Sequence, residues 1–302
     1  TGYNSKDYAR NAVIVQVDID QAELDKGTLR DPIKICMDAG QFIHGLSDSW
    51  EYLAGFACND WLKRCQLWRD RYPVALPEYL EQKDSVNSYH FIDVLSELCN
   101  EEDTIVTDMG FAFQNTHQAW KVKNGQRVLT NCGLAPMGWG LPAAVGAACA
   151  TNRRVICITG EGGLMFNIQE LATIRHHQLP IKIFVLMNGG YLTIKQTQQL
   201  GFEGRLMGST EKDLWFPDME LIARANGIQI KHLSNHGQLH YLGNILEGDY
   251  PMLCTVRMSH DQPQAPRALN RRNPDGTMNP TQLEDAHPFL PHEVIAQEMK
   301  CD

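Results

Sequence analysis

A chain of 302 residues, 43% of them hydrophobic, can bury a substantial core and divide into about one to three domains. Its net charge of −9 argues against a nucleic-acid partner, and no apolar run reaches the length of a membrane span. The nine cysteines are odd in number, scattered and without CxxC spacing, and no signal peptide is visible. Reduced structural thiols in a cytoplasmic protein are therefore expected.

In chain order, residues 12–19 (AVIVQVDI) predict a strand, and residues 21–26 a short helix after Asp20. An acidic strand end can hold a ribose in dinucleotide folds, but no GxGxxG precedes this one, which favours a plain turn. Residues 41–70 carry a helical pattern in which Phe42, Leu46, Trp50, Leu53, Trp61, Leu62 and Leu67 are expected to face a core. The prolines and small polar residues after Tyr72 read as a linker. The division expected is a first piece over 1–50, a helical linker over 51–88, a main domain over 89–261 and a tail over 262–302. With Thr1 in place of an initial Met, the chain is expected to be a fragment, a processed piece or a separate subunit.

The main domain alternates strand and helix throughout. Strands are predicted at 103–107, 126–130, 155–159, 181–186, 228–233 and 252–258. Helices are predicted at 91–99, 141–150, after Asn167 as a cap, and at 192–199, 217–226 and 237–246, with Gly227 ending one of them. This pattern predicts an α/β fold, a doubly wound parallel sheet with helices on both faces. Asp108-Met109-Gly110 lies at the carboxyl end of the first strand, where Asp108 is either a helix cap or a ligand contact. His117 has no visible partner and reads as a surface or core histidine.

The densest chemistry lies in residues 155–191, VICITGEGGLMFNIQELATIRHHQLPIKIFVLMNGGY. Gly160-Glu161-Gly162-Gly163 ends a buried strand, and ligands of such sheets bind beyond strand carboxyl ends. Glycines there admit backbone N–H groups to a phosphate. A carboxylate inside such a turn repels phosphate unless a divalent cation intervenes, and Asn188, at the end of the neighbouring strand, can offer an amide oxygen to the same ion. Mg²⁺ suits a few protein oxygens plus ligand phosphates.

GEGG, NIQELATI and LPIKIFVLMNGGYLTIKQTQ together resemble the cofactor motif of thiamine diphosphate enzymes, a GDG followed about two dozen residues later by NN, and most of all the acetolactate synthase-like branch. Two departures are Glu161 for the usual Asp and Met187 for the first Asn. The resemblance implies Mg²⁺ ligation by Glu161, Asn188 and the Gly190 carbonyl. It implies thiamine diphosphate contacts from Met109, Gly110, Phe111, Phe113, Ala135, Gly160, Gly162, Gly163, Tyr191, Leu192 and Thr193. It also gives Met137 the catalytic part, its carbonyl accepting from the 4′-amino group while its bulk bends the cofactor. Residues 1–50 resemble the tail of the family's middle domain.

The activity implied is decarboxylation of a 2-oxo acid such as pyruvate and ligation of the remainder to an aldehyde or ketone. The family's glutamate that protonates the aminopyrimidine belongs to a pyrimidine-binding domain absent from this chain, so a partner domain or subunit in a homo- or hetero-oligomer is expected. FAD is compatible with the branch, but its usual site would lie largely in the missing part of the middle domain. The tail at 262–302 is either a solvated surface or a cap over the active-site mouth. The competing reading is a non-catalytic diphosphate- or nucleotide-binding regulatory subunit, for which Glu161 is the best support.

Overall fold

The computed structural model describes residues 5, 8–53, 58–272 and 275–300. It divides into two compact units, Val74–Gln264 and a second formed by Thr1–Pro73 with Ala265–Asp302.

The chain begins in the second of these with a parallel pair, β1 (Val15–Asp18) and β2 (Ile33–Cys36), joined through α1 (Gln21–Leu24). Asp20 caps α1 by accepting from the Ala22 N–H at 2.8 Å, so the acidic strand end serves the turn. α2 (Ala39–Asp48), α3 (Trp50–Leu53) and α4 (Asn59–Arg71) follow. The expected apolar face of this stretch does not close on a core. Leu46, Trp50, Trp61, Leu62 and Leu67 are exposed, Phe42 is half-buried, and the side chain of Leu53 lies outside the described residues. The reason is a shortage of partners, because Leu24 is the one buried apolar residue of this unit among the described residues.

The larger unit opens with α5 (Pro77–Leu80) and α6 (Ser88–Leu98), the latter capped by Asn87. Then come β3 (Thr104–Thr107), α7 (Phe111–Ala119), β4 (Arg127–Leu129), α8 (Gly140–Thr151) and β5 (Val155–Gly160). α9 (Glu161–Phe166), α10 (Glu170–His176), β6 (Ile181–Met187) and α11 (Leu192–Gly201) follow. α12 (Met219–Ala225), β7 (Gln229–Leu233), a 3-10 turn (His236–Tyr241) running into α13 (Leu242–Leu246), and β8 (Met252–Arg257) complete the unit. The chain returns to the smaller unit through the antiparallel pair β9 (Asn270–Arg272) and β10 (Met278–Pro280), and α14 (His292–Glu298).

The six strands of the larger unit are all parallel, in the order β4-β3-β5-β6-β8-β7. Alternate residues of β5 feed opposite cores: Ile156 and Ile158 pack with α6, α7 and α13, whereas Val155 and Cys157 pack with α8, α10 and α12. That two-sided burial is the physical content of a doubly wound sheet, and the expected fold class is borne out. The strand order reverses beside β3, whose next strand in the chain, β4, lies on one side and β5 on the other. A crevice opens there at the carboxyl ends.

Asn167 was expected to cap the helix after the glycine turn, but α9 starts directly at Glu161 and Asn167 closes it. The Asn167 amide then donates to the Gly138 carbonyl at 2.8 Å. Among the described residues no helix is long and apolar enough to cross a membrane.

Candidate functional site

Four loops meet at the reversal point, those following β3, β4, β5 and β6. Between them lies a cavity with about 500 Å³ of empty space, open to solvent. Its wall is apolar where α7 and α11 begin, at Phe111, Ala112, Leu192 and Ile194, and glycine-rich where β5 and β6 end. The glycines are required by close approach. A Cβ on Gly162 would fall on the Tyr191 ring, and one on Gly163 on the Asp108 carboxylate.

Asp108 ties the segments after β3 and β4 to the end of β5. It is 1% exposed, and its oxygens accept from the N–H groups of Met109 at 2.8 Å and Gly138 at 3.0 Å and from the Thr159 hydroxyl at 2.9 Å. Burial raises its carboxyl above the ordinary range, and these hydrogen bonds oppose the rise. The cap expected of it is not made: Gly110 occupies that position of α7 with no side-chain bond. Met137 precedes Gly138, which is therefore gripped from one side by Asp108 and from the other by Asn167.

Glu161 is fully buried and reaches across from β5 to the turn after β6. Its Oε1 accepts from the N–H groups of Gly189 at 2.6 Å and of Asn188 and Gly190 at 3.1 Å each. Burial pushes its carboxyl up to about 7, against the pull of these backbone donors. Asn188 is 6% exposed and lines the cavity, and its Oδ1 is buried with no hydrogen-bond partner. An unpartnered buried acceptor costs about 1–3 kcal/mol, so this oxygen suits a cation or a ligand donor. Among the described residues no group of three or more His, Cys, Asp or Glu is placed to hold a metal. The Asn188 amide oxygen is a donor of the kind that hard cations accept.

The sequence model of the family described as "Thiamine pyrophosphate enzyme, C-terminal TPP binding domain" matches residues 108–256, from the loop after β3 into β8. The acetolactate synthase isozyme 2 large subunit of Escherichia coli is 32% identical over 257 residues, covering 82% of this chain and 44% of that protein. The acetolactate synthase large subunit of Lactococcus lactis is 31% identical over 271 residues, covering 88% of this chain and 46% of the other. The corresponding subunit of Cyanidium caldarium is 32% identical over 236 residues, with 74% and 38% covered. The chain belongs to the thiamine diphosphate enzyme family, on its acetolactate synthase-like branch. It spans less than half the length of these relatives.

Of the residues that the family resemblance singled out, the structure brings Met109, Gly110, Phe111, Met137, Gly160, Gly162, Gly163, Asn188, Gly190, Tyr191, Leu192 and Thr193 to one cavity. Three are placed elsewhere. Phe113 lies against the His117 ring, Ala135 is exposed on the turn before Met137, and Glu161 is buried behind the wall. His117 is an exposed helix residue with Nδ1 3.0 Å from the Phe113 carbonyl. Ala112, Leu186 and Ile194 complete the lining. Alternation along β6 gives Leu186 as a core residue, and only the position of α11 shows that Ile194 faces the mouth.

Proposed function

We propose that this chain supplies the diphosphate-binding half of a thiamine diphosphate- and Mg²⁺-dependent enzyme. That enzyme would decarboxylate a 2-oxo acid, pyruvate in the first instance, and join the remainder to an aldehyde or ketone. The observation that carries the reading is the unpartnered Asn188 Oδ1, buried beside a glycine turn at the switch point of the sheet. When bound, thiamine diphosphate supplies the electron sink for decarboxylation, and the protein's part is to bind, orient and desolvate.

Gly162 and Gly163 admit the diphosphate, while Asn188 Oδ1 and the Gly190 carbonyl hold the cation. The Met137 carbonyl takes the amino group of the pyrimidine, at a height set by the grip of Asp108 on Gly138. Met109, Phe111, Ala112 and Ile194 exclude water, which disfavours a substrate carboxylate relative to its loss as CO₂.

Among the described residues no acidic side chain lines this cavity, which supports a second domain as the source of the proton exchanged with the pyrimidine ring. Exposed apolar residues on the flanking segments, Leu134, Phe166, Phe202, Met207 and Trp215, support a covering partner in a homo- or hetero-oligomer. Free cysteines among the described residues accord with a cytoplasmic setting. A second reading, a non-catalytic diphosphate- or nucleotide-binding subunit, is favoured by one observation: the Glu161 carboxylate is already engaged.

Calorimetry of the whole chain decides between them. Thiamine diphosphate binding that disappears with EDTA and with Asn188→Ala supports the enzyme reading. Equal, EDTA-insensitive binding of ADP supports the second. Under the enzyme reading, pyruvate turnover appears only when a separate pyrimidine-binding chain is added, and turnover by the isolated chain would show that no partner is needed.

A further inference from the structure

We infer that Glu161 is a positioning residue in this chain and not a cation ligand: it staples the turn at 188–190 so that Asn188 Oδ1 and the Gly190 carbonyl present to the ion. The inference rests on the proposed Mg²⁺–diphosphate site and departs from the role that the family pattern gives to this position.

The geometry carries it. Three successive backbone N–H groups, of Asn188, Gly189 and Gly190, converge on one oxygen, Glu161 Oε1, at 3.1, 2.6 and 3.1 Å. Such a run of amides, here with Gly189 at φ +77, forms a concavity suited to an anion. In this chain the occupant is internal. The second oxygen, Oε2, approaches the Asn188 N–H at 3.3 Å. Glu161 is 0% exposed and lines neither of the two cavities that Asn188 lines, the larger one described above and a smaller one of about 200 Å³ toward Thr210 and His260.

The extra methylene of Glu over Asp accounts for the difference. From the first residue of α9 the longer arm crosses to the end of β6, and an Asp would fall short by about 1.5 Å, one carbon–carbon bond. Turning Oε1 toward a cation would strip three amides, one buried and two half-buried, of their acceptor. Asn188 Oδ1 surrenders nothing on ligation, because it has no partner to lose. The two side chains thus divide the work: one shapes the turn and the other faces the ion.

The test uses the whole chain with thiamine diphosphate and Mn²⁺ as a paramagnetic stand-in for Mg²⁺, free Mn²⁺ being counted by electron paramagnetic resonance. Glu161→Gln keeps an oxygen for the three amides and removes the negative charge that makes a carboxylate a stronger cation ligand than an amide. It should hold Mn²⁺ within about fivefold of wild type, whereas Asn188→Ala should lose more than about tenfold at an unchanged melting temperature. Glu161→Ala removes the staple and should lower the melting temperature and Mn²⁺ affinity together. A tenfold loss in Glu161→Gln at an unchanged melting temperature overturns the inference and leaves the proposed site standing. Failure of wild type to bind Mn²⁺ with thiamine diphosphate overturns both. Should the variants misfold, amide exchange in wild type reads the same point. The amides of Gly189 and Gly190 stay slow when Mg²⁺ is added to the thiamine diphosphate-loaded chain if the staple holds, and their release by Mg²⁺ overturns it.

Discussion

A buried carboxylate that collects donors from two loops and a strand end couples them, and Asp108 does so at the centre of the candidate site. Asp108→Ala leaves the Met109 and Gly138 N–H groups without their acceptor, while the Thr159 hydroxyl keeps the Gly160 carbonyl at 3.1 Å. At about 1–3 kcal/mol per orphaned group, with incomplete additivity, a loss of about 2–4 kcal/mol in urea unfolding is expected. Gly163→Ala places its methyl on the same carboxylate, an overpacking that costs about 1–3 kcal/mol. Because both changes act on one contact, the Gly163→Ala penalty should shrink by more than about 0.5 kcal/mol in the Asp108→Ala background. Full additivity in that double-mutant cycle would separate the two sites. None of this is legible in the sequence. DMG reads as a helix cap because the donors at Gly138 and Thr159 become neighbours of Asp108 only through the strand order.

At the scale of elements, β6 carries a lysine in its buried middle layer. Lys182 is 0% exposed, donates to the Glu247 and Tyr250 carbonyls at 2.9 and 3.0 Å, and lies 4.1 Å from the centre of the Tyr250 ring. Burial, aided by the charge of Arg154, lowers its pKa to about 8 from an ordinary 10.5. Between those values the unfolded chain binds more protons than the folded one, so stability rises with pH across that window. Wild type should gain about 2–3 kcal/mol relative to Lys182→Met between pH 8 and 10.5, measured by urea unfolding. Parallel curves for the two proteins would show that Lys182 keeps its proton.

The same strand shows what periodicity delivers. An apolar run interrupted by Lys182 alone and bounded by Pro180 and a glycine turn sufficed to place β6 to within a residue, because a strand buried on both faces needs little else. Residues 41–70 show where it runs out. Their pattern is helical and the helices exist, but a pattern states which face is apolar and leaves open what covers it. Likewise GEGG marked the right strand end, although its last three residues open α9 instead of forming a turn, and the crossing of Glu161 to the turn after β6 depends on one side chain's reach.

At the scale of the whole molecule, apolar burial is distributed very unevenly between the two units. Both core clusters lie between Val74 and Met258, and the residues lining the larger cavity of the candidate site lie between Met109 and Ile194. The other unit leaves Trp50, Tyr52, Trp61 and Leu67 exposed. A polypeptide of residues 74–264 should therefore unfold cooperatively, with a melting temperature within about 5 °C of that of the whole chain. It should bind less of an apolar dye such as ANS than the whole chain does, since the exposed aromatic helices leave with residues 1–73. Its affinity for thiamine diphosphate with Mg²⁺ should stay within about threefold, the entire lining being retained. A loss beyond tenfold with cooperative unfolding intact would instead show that the removed segments contribute to binding. A shallow, non-cooperative transition would mean that the sheet draws stability from the removed segments, and that the division of the chain into two units is not a division of its folding.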